Sequence, residues 1–211
     1  MTTGQGAARR SRARRGEGDL LRDEILAATE RLLFDAGDPE AVSIRAVARA
    51  VGVTPPAIYL HFADKTELIY QVCENHWDRL NADLRAAVGD VDDVMVWLET
   101  VGRAYIDWGL SHPEAYRILF MGRPQDVPPD VDKAEVIMSG IFGDLVAAVT
   151  RAVETRRMTG DPIMIAFQAW MCVHGLTSLL ISSPEMPWPD RDQLIAATID
   201  TAFRAGNATG S

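Results

Sequence analysis

Thr54, Tyr59, His61 and Lys65 fall in one short run, TPPAIYLHFADK, and each can donate a hydrogen bond to an anionic oxygen. The chemistry they offer is binding. The chain has no glycine-rich phosphate loop, no clustered His/Cys/carboxylate set and no nucleophile elbow, so nothing pairs these donors with a catalytic partner. Pro55 and Pro56 stand at the front of the run. In a helix interior each would cost about 3 kcal/mol. With Thr54 as the N-cap, its hydroxyl accepting from a first-turn amide, both prolines occupy positions whose N–H has no intrahelical partner to lose. The run therefore reads as the start of a helix, with Ile58 and Phe62 turned inward.

The elements around it fix its setting. Ser43 is a plausible N-cap for a short helix carrying Ile44, Val47, Ala48 and Val51, and Gly52 stops that helix. A very short turn then leads to Thr54, so the two pieces form a helix-turn-helix. Its second helix would project its amino-terminal end into the major groove of DNA. Ala57 is small enough for close approach and for contact with a thymine methyl group. Downstream, Asp64 and Glu67 form a capping-box pattern, placing Lys65 in the first turn of the next helix.

The segment VSIRAVARAVGVTPPAIYLHFADKTELIYQV resembles the DNA-binding domain of TetR-family transcriptional regulators. The resemblance implies operator contacts from Ser43, Arg45, Thr54, Pro55, Pro56, Ala57, Tyr59, His61 and Lys65. It also implies an all-helical ligand-binding and dimerisation domain behind the head. SHPEAYRILF and AWMCVHGL are similar to segments of one subgroup, the second through its Trp-x-x-x-His-Gly spacing.

Charge is distributed unevenly over the 211 residues, whose formal net charge is −9. Residues 1–65 carry ten Lys/Arg against nine Asp/Glu, and the remainder carries 11 against 21. Arg9, Arg10, Arg12, Arg14 and Arg15 all precede the first acidic residue, Glu17. A basic arm on an acidic body points to an anionic partner on one side only. The arm has two readings, a minor-groove contact or a solubilising tail. It lacks the apolar stretch of a secretory signal. Cys73 and Cys172 match no metal spacing and no disulfide framework, which suits a reducing cytoplasm.

Apolar spacing is helical almost throughout, predicting an all-α chain of about nine helices. A helix through Leu21–Leu33 is stopped by Gly37 and Pro39. Further helices run from Lys65 to about Val88, from about Val91 to Leu110, and from a Ser111–Glu114 capping box to Phe120. A proline-rich loop, GRPQDVPPD, precedes a single long helix from Val131 to about Arg156. The expected divisions are a flexible arm (1–18), the DNA-binding head (19–65), a ligand-binding and dimerisation domain (66–204) and a tail (205–211).

Residues 163–183 carry no Lys, Arg, Asp or Glu. A helix apolar nearly all round is either membrane-buried or central to a protein core. With no other candidate span and no basic flank, the second reading is favoured, and the membrane is excluded as a partner. This helix and the last, from Asp190, are expected to pair with their twofold mates in a homodimer.

Trp97, Val101, Tyr105, Trp108, Tyr116, Phe120, Phe142, Trp170 and His174 are candidates to line an effector pocket, with Glu99, Asp107 and His174 as its polar groups. Each of the aromatic residues also reads as plain core, and His174 as a core or interface histidine. The expected partners are a double-stranded operator and a small, largely apolar or aromatic effector, with no cofactor and no metal. The implied function is a ligand-responsive regulator, most simply a repressor released by its effector. An all-helical carrier and an enzyme with a helical cavity stand as alternatives.

Overall fold

The computed structural model describes residues 17–121 and 131–204. The five arm arginines, the proline-rich loop and the tail 205–211 lie outside the described residues. Ten α-helices and no strand occur among those described: α1 (Glu17–Ala36), α2 (Ile44–Val51), α3 (Pro55–Ile58), α4 (Lys65–Val88), α5 (Val94–Ser111), α6 (Pro113–Tyr116), α7 (Lys133–Ser139), α8 (Ile141–Glu154), α9 (Pro162–Ser182) and α10 (Arg191–Arg204). A 3-10 turn (Pro39–Ala41) follows α1, and a π-turn (Arg117–Met121) follows α6.

The helices gather into two compact units, which α4 enters in turn. The first takes in the described residues up to His76 together with Arg117–Met121. Its core joins Ile25 and Leu33 of α1, Val47 of α2, Ile58 of α3, Phe62 ahead of α4, Leu68 and Val72 of α4, and Ile118 of the π-turn. Ile25, Leu33, Val47 and Ile58 are wholly buried. At about 1.5–3 kcal/mol for each large side chain removed from water, this cluster is what holds these helices in one arrangement.

The second unit comprises Trp77–Tyr116 and the described residues from Val131 onward. Here α9 packs against α5, α8 and α10. Its inward stripe is Ile165, Ala166, Ala169, Val173, Leu176, Thr177 and Leu180, a helical spacing that one core-facing side produces. The helix is long and apolar enough to cross a membrane by length and composition alone. Its buried stripe accounts for part of that composition, 39% of the most apolar stretch being buried.

Three predicted elements differ in the structure. The helix begun by Pro55 is only four residues long, and Tyr59–His61 form a turn after it. Ser111 is the last residue of α5 and caps nothing; Asp93 caps that helix by accepting from Met95 N–H at 2.8 Å and Val96 N–H at 3.2 Å. The single helix expected over Val131–Arg156 is broken into α7 and α8 at Gly140. Gly140 is extended, and the Asn81 side chain of α4 accepts from Ile141 N–H at 2.8 Å, supplying a cap where α8 restarts. Gly143 lies so close to the Met138 carbonyl that any Cβ there would collide with it.

Candidate functional site

In the first unit, Ser43 caps α2 as expected, its hydroxyl accepting from Ala46 N–H at 3.2 Å. Gly52 ends α2 at φ 78°, the left-handed conformation glycine adopts without strain. Val53 N–H donates back to Ala48 C=O at 2.9 Å, closing the tight turn. Thr54 then enters α3 in extended conformation, with Pro55 and Pro56 in its first turn. The expected capping bond is not formed: the Thr54 hydroxyl accepts from no first-turn amide. The reason lies in the prolines: Pro56 removes one of the two amides a cap would serve, and the other, Ala57 N–H, is taken by the Thr54 carbonyl at 2.9 Å.

Ile58 and Phe62 are buried, fixing which way the remaining side chains face. Thr54, Pro56, Tyr59 and Leu60 are exposed, and Pro55, Ala57 and His61 are half-buried. Ser43 and Arg45 are exposed on α2. Asp64 and Glu67 form the predicted capping box, with Glu67 N–H donating to Asp64 at 2.8 Å and Ala63 N–H to Glu67. Lys65 is the first residue of α4, but its ammonium is turned to Glu40, 3.6 Å from the carboxylate and 3.4 Å from the carbonyl. Both partners are accessible, so this pair is weak and can be exchanged for another anion. Leu60 was not among the predicted contacts. The signal that would have found it is its spacing of four from Pro56.

In the second unit, Tyr105, Tyr116, Trp170, His174 and Phe142 form a contiguous cluster. His174 Nδ1 lies within hydrogen-bond distance of both tyrosines, 3.0 Å from Tyr105 Oη and 2.6 Å from Tyr116 Oη. Tyr116 donates to the His174 carbonyl at 3.2 Å, and its ring stacks on the imidazole at 5.6 Å. Trp170 covers His174 at 5.2 Å and meets Phe142 at 6.1 Å. Burial holds the His174 imidazole below its ordinary range and pushes both phenols up. A neutral imidazole is the state that this burial supports.

The other pocket candidates lie elsewhere. Trp108 donates its indole N–H to Asp83 at 3.1 Å and stacks on His112 at 4.9 Å. Val101 is buried, Trp97 is half-buried, and Phe120 belongs to the first unit's π-turn. A cleft of about 550 Å³ runs between α4 and α5, lined by Leu84, Ala104 and Trp108 with Asp83, Glu99 and Asp107 at its polar side. It takes in Trp108 and two of the three polar candidates, and none of the His174 cluster. Arg103 in this cleft is already held by Asp192 at 2.7 Å and Asp107 at 3.5 Å.

This geometry agrees with what the chain is similar to. Residues 25–72 match the family model for bacterial regulatory proteins of the tetR family. Residues 98–202 match the model for the tetracyclin repressor-like C-terminal domain. The HTH-type transcriptional activator FasR of Mycolicibacterium smegmatis is 29% identical over 191 residues, covering 88% of this chain and 82% of that protein. A protein of unknown function from Rhodococcus sp. RHA1 has the same fold with a TM-score of 0.71 and 26% identity, over 88% of this chain and 94% of that one. A TetR family transcription regulator from Marinobacter aquaeolei VT8 shares the fold at a TM-score of 0.67 and 19% identity, over 91% and 98%. An amino-terminal helix-turn-helix head and an all-helical second unit, each matched by its own family model, make this chain a member of the TetR family of DNA-binding transcriptional regulators, which are not enzymes.

Proposed function

We propose that the protein acts in the cytoplasm as a homodimer that represses transcription from a palindromic operator and is released by a small, largely apolar effector bound in its second unit. The observation that carries the reading is the outward presentation of Thr54, Pro56 and Tyr59 over a core that fixes their direction. Thr54 and Tyr59 supply hydroxyl donors to phosphate, joined by His61, Ser43, Arg45 and Lys65. Pro55 and Ala57 lie at the leading edge, where their small profile permits close approach. Arm residues Arg9, Arg10, Arg12, Arg14 and Arg15 would add phosphate contacts on the flanks.

Support for the dimer comes from α9. Opposite its buried stripe, Ile163, Met164, Phe167, Met171 and Leu179 are between 42% and 57% exposed. Apolar exposure on that scale along one face of a soluble regulator is the mark of an interface. A twofold partner presenting the same face of α9, with α10 beside it, would cover it. Effector action follows by linkage: a ligand binding better to the conformation that fits DNA poorly lowers operator affinity.

A second reading concerns the sign of the output, because FasR is named an activator. A reporter driven by the protein's own upstream region separates the two. Repression predicts higher reporter output when the chain is deleted; lower output on deletion would overturn repression in favour of activation. A Tyr59→Ala variant that bound the upstream duplex as tightly as wild type would remove the reading's structural basis.

A further inference from the structure

Leu60 is 83% exposed, the highest exposure of any large hydrophobic side chain among the described residues. The fold makes no use of it, while its neighbours on either side are accounted for: Ile58 and Phe62 are core, and Tyr59 and His61 carry donors. The chain continues in a right-handed turn after α3, with Tyr59 at φ −67° and ψ −7° and His61 N–H donating to Ile58 C=O at 2.9 Å. Residues four apart along such a turn lie on one side. Pro56 and Leu60, both exposed, therefore form one apolar ridge, and Thr54 and Tyr59 in the same run are exposed too.

Resting on the DNA-binding reading, we propose that Leu60 is a specificity-determining residue that reads a thymine C5-methyl group in the operator major groove. A leucine side chain has neither donor nor acceptor, so it cannot read the hydrogen-bonding edge of any base. The one apolar feature that distinguishes a base pair in the major groove is the thymine methyl. Apposing that methyl to Leu60 removes apolar surface from water on both sides, and the Pro56 ring widens the contact. Adenine, guanine or cytosine at the same place would leave the leucine against polar edges. The ridge thus selects T·A at one step of each half-site without a single hydrogen bond.

The test measures full-length protein on its operator and on duplexes in which each thymine is replaced singly by deoxyuridine, which lacks the methyl. Wild type should lose about fourfold in affinity at one thymine of each half-site, the worth of one buried methyl. Leu60→Ala should bind the unmodified operator more weakly and lose nothing further at that thymine. Its melting temperature should match wild type, since an exposed leucine contributes little to the fold. Unchanged operator affinity in Leu60→Ala would overturn the proposal. A deoxyuridine penalty of equal size in both proteins would also overturn it. Wild type preferring no duplex over random sequence would overturn the regulator reading with it, whereas preference without the coupling defeats only the role given to Leu60.

Discussion

Ser43 and Thr54 are both hydroxyl residues standing before a helix, and they spend their hydroxyls differently. Ser43 holds Ala46 N–H, so Ser43→Ala is expected to cost about 1 kcal/mol in urea unfolding. Thr54 serves no amide of α3, so Thr54→Ala should leave stability within about 0.5 kcal/mol of wild type while weakening DNA binding. Equal stability losses would mean that Thr54 caps α3 after all. His174 carries a pH dependence. Burial lowers its folded pKa beneath the ordinary 6.5, so on acidification the unfolded chain takes up the proton first. Stability is then lost as pH falls through about 6.5, until the folded imidazole also protonates. His174→Asn should flatten the fall in melting temperature between about pH 7.5 and 5.5 relative to wild type. Parallel curves would contradict the assignment.

At the scale of elements, what was legible in the sequence is what local chemistry decides. Gly52, Ser43 and the Asp64–Glu67 pair placed the ends of α2 and the start of α4, because each acts through atoms a few residues away. The same local reading left α3 too long: the side chains of Tyr59 to His61 suit a helix, but burial of Phe62 carries the chain into a turn. The break between α7 and α8 escaped entirely, since it depends on Asn81, sixty residues away, capping Ile141. Apolar periodicity passes through Gly140 undisturbed. In the candidate effector site the sequence supplied the members of the His174 cluster without saying which would meet. Tyr105, Tyr116, Trp170 and Phe142 come together, and Trp108 is drawn off by Asp83. Close packing of α5 on α9 gives a further expectation. A Cβ at Gly109 would press on the side chains of Tyr116 and Thr177, both wholly buried. Gly109→Ala should therefore destabilise by about 1–3 kcal/mol in spite of alanine's better helix propensity. A stabilised variant would show that these helices can part.

The whole molecule combines a first 65 residues of nearly balanced charge with a strongly acidic remainder, so its affinity for DNA must come from a small, directed surface. Dimerisation through α9 would double that surface, and Met171→Asp, placing a charge in the exposed apolar face, should yield a monomer in sedimentation analysis with much weaker operator binding. A dimer that survives this change would move the interface elsewhere. The central claim is that the α2–α3 head reads a specific duplex while exposed side chains hold the phosphates. A salt titration of binding to the protein's own upstream DNA and to random duplex of equal length tests it directly. The account predicts tighter binding to the upstream duplex at every salt concentration, with log K falling linearly against log salt at a slope of about −0.9 per phosphate neutralised. Equal affinity for the two duplexes throughout the titration would contradict it.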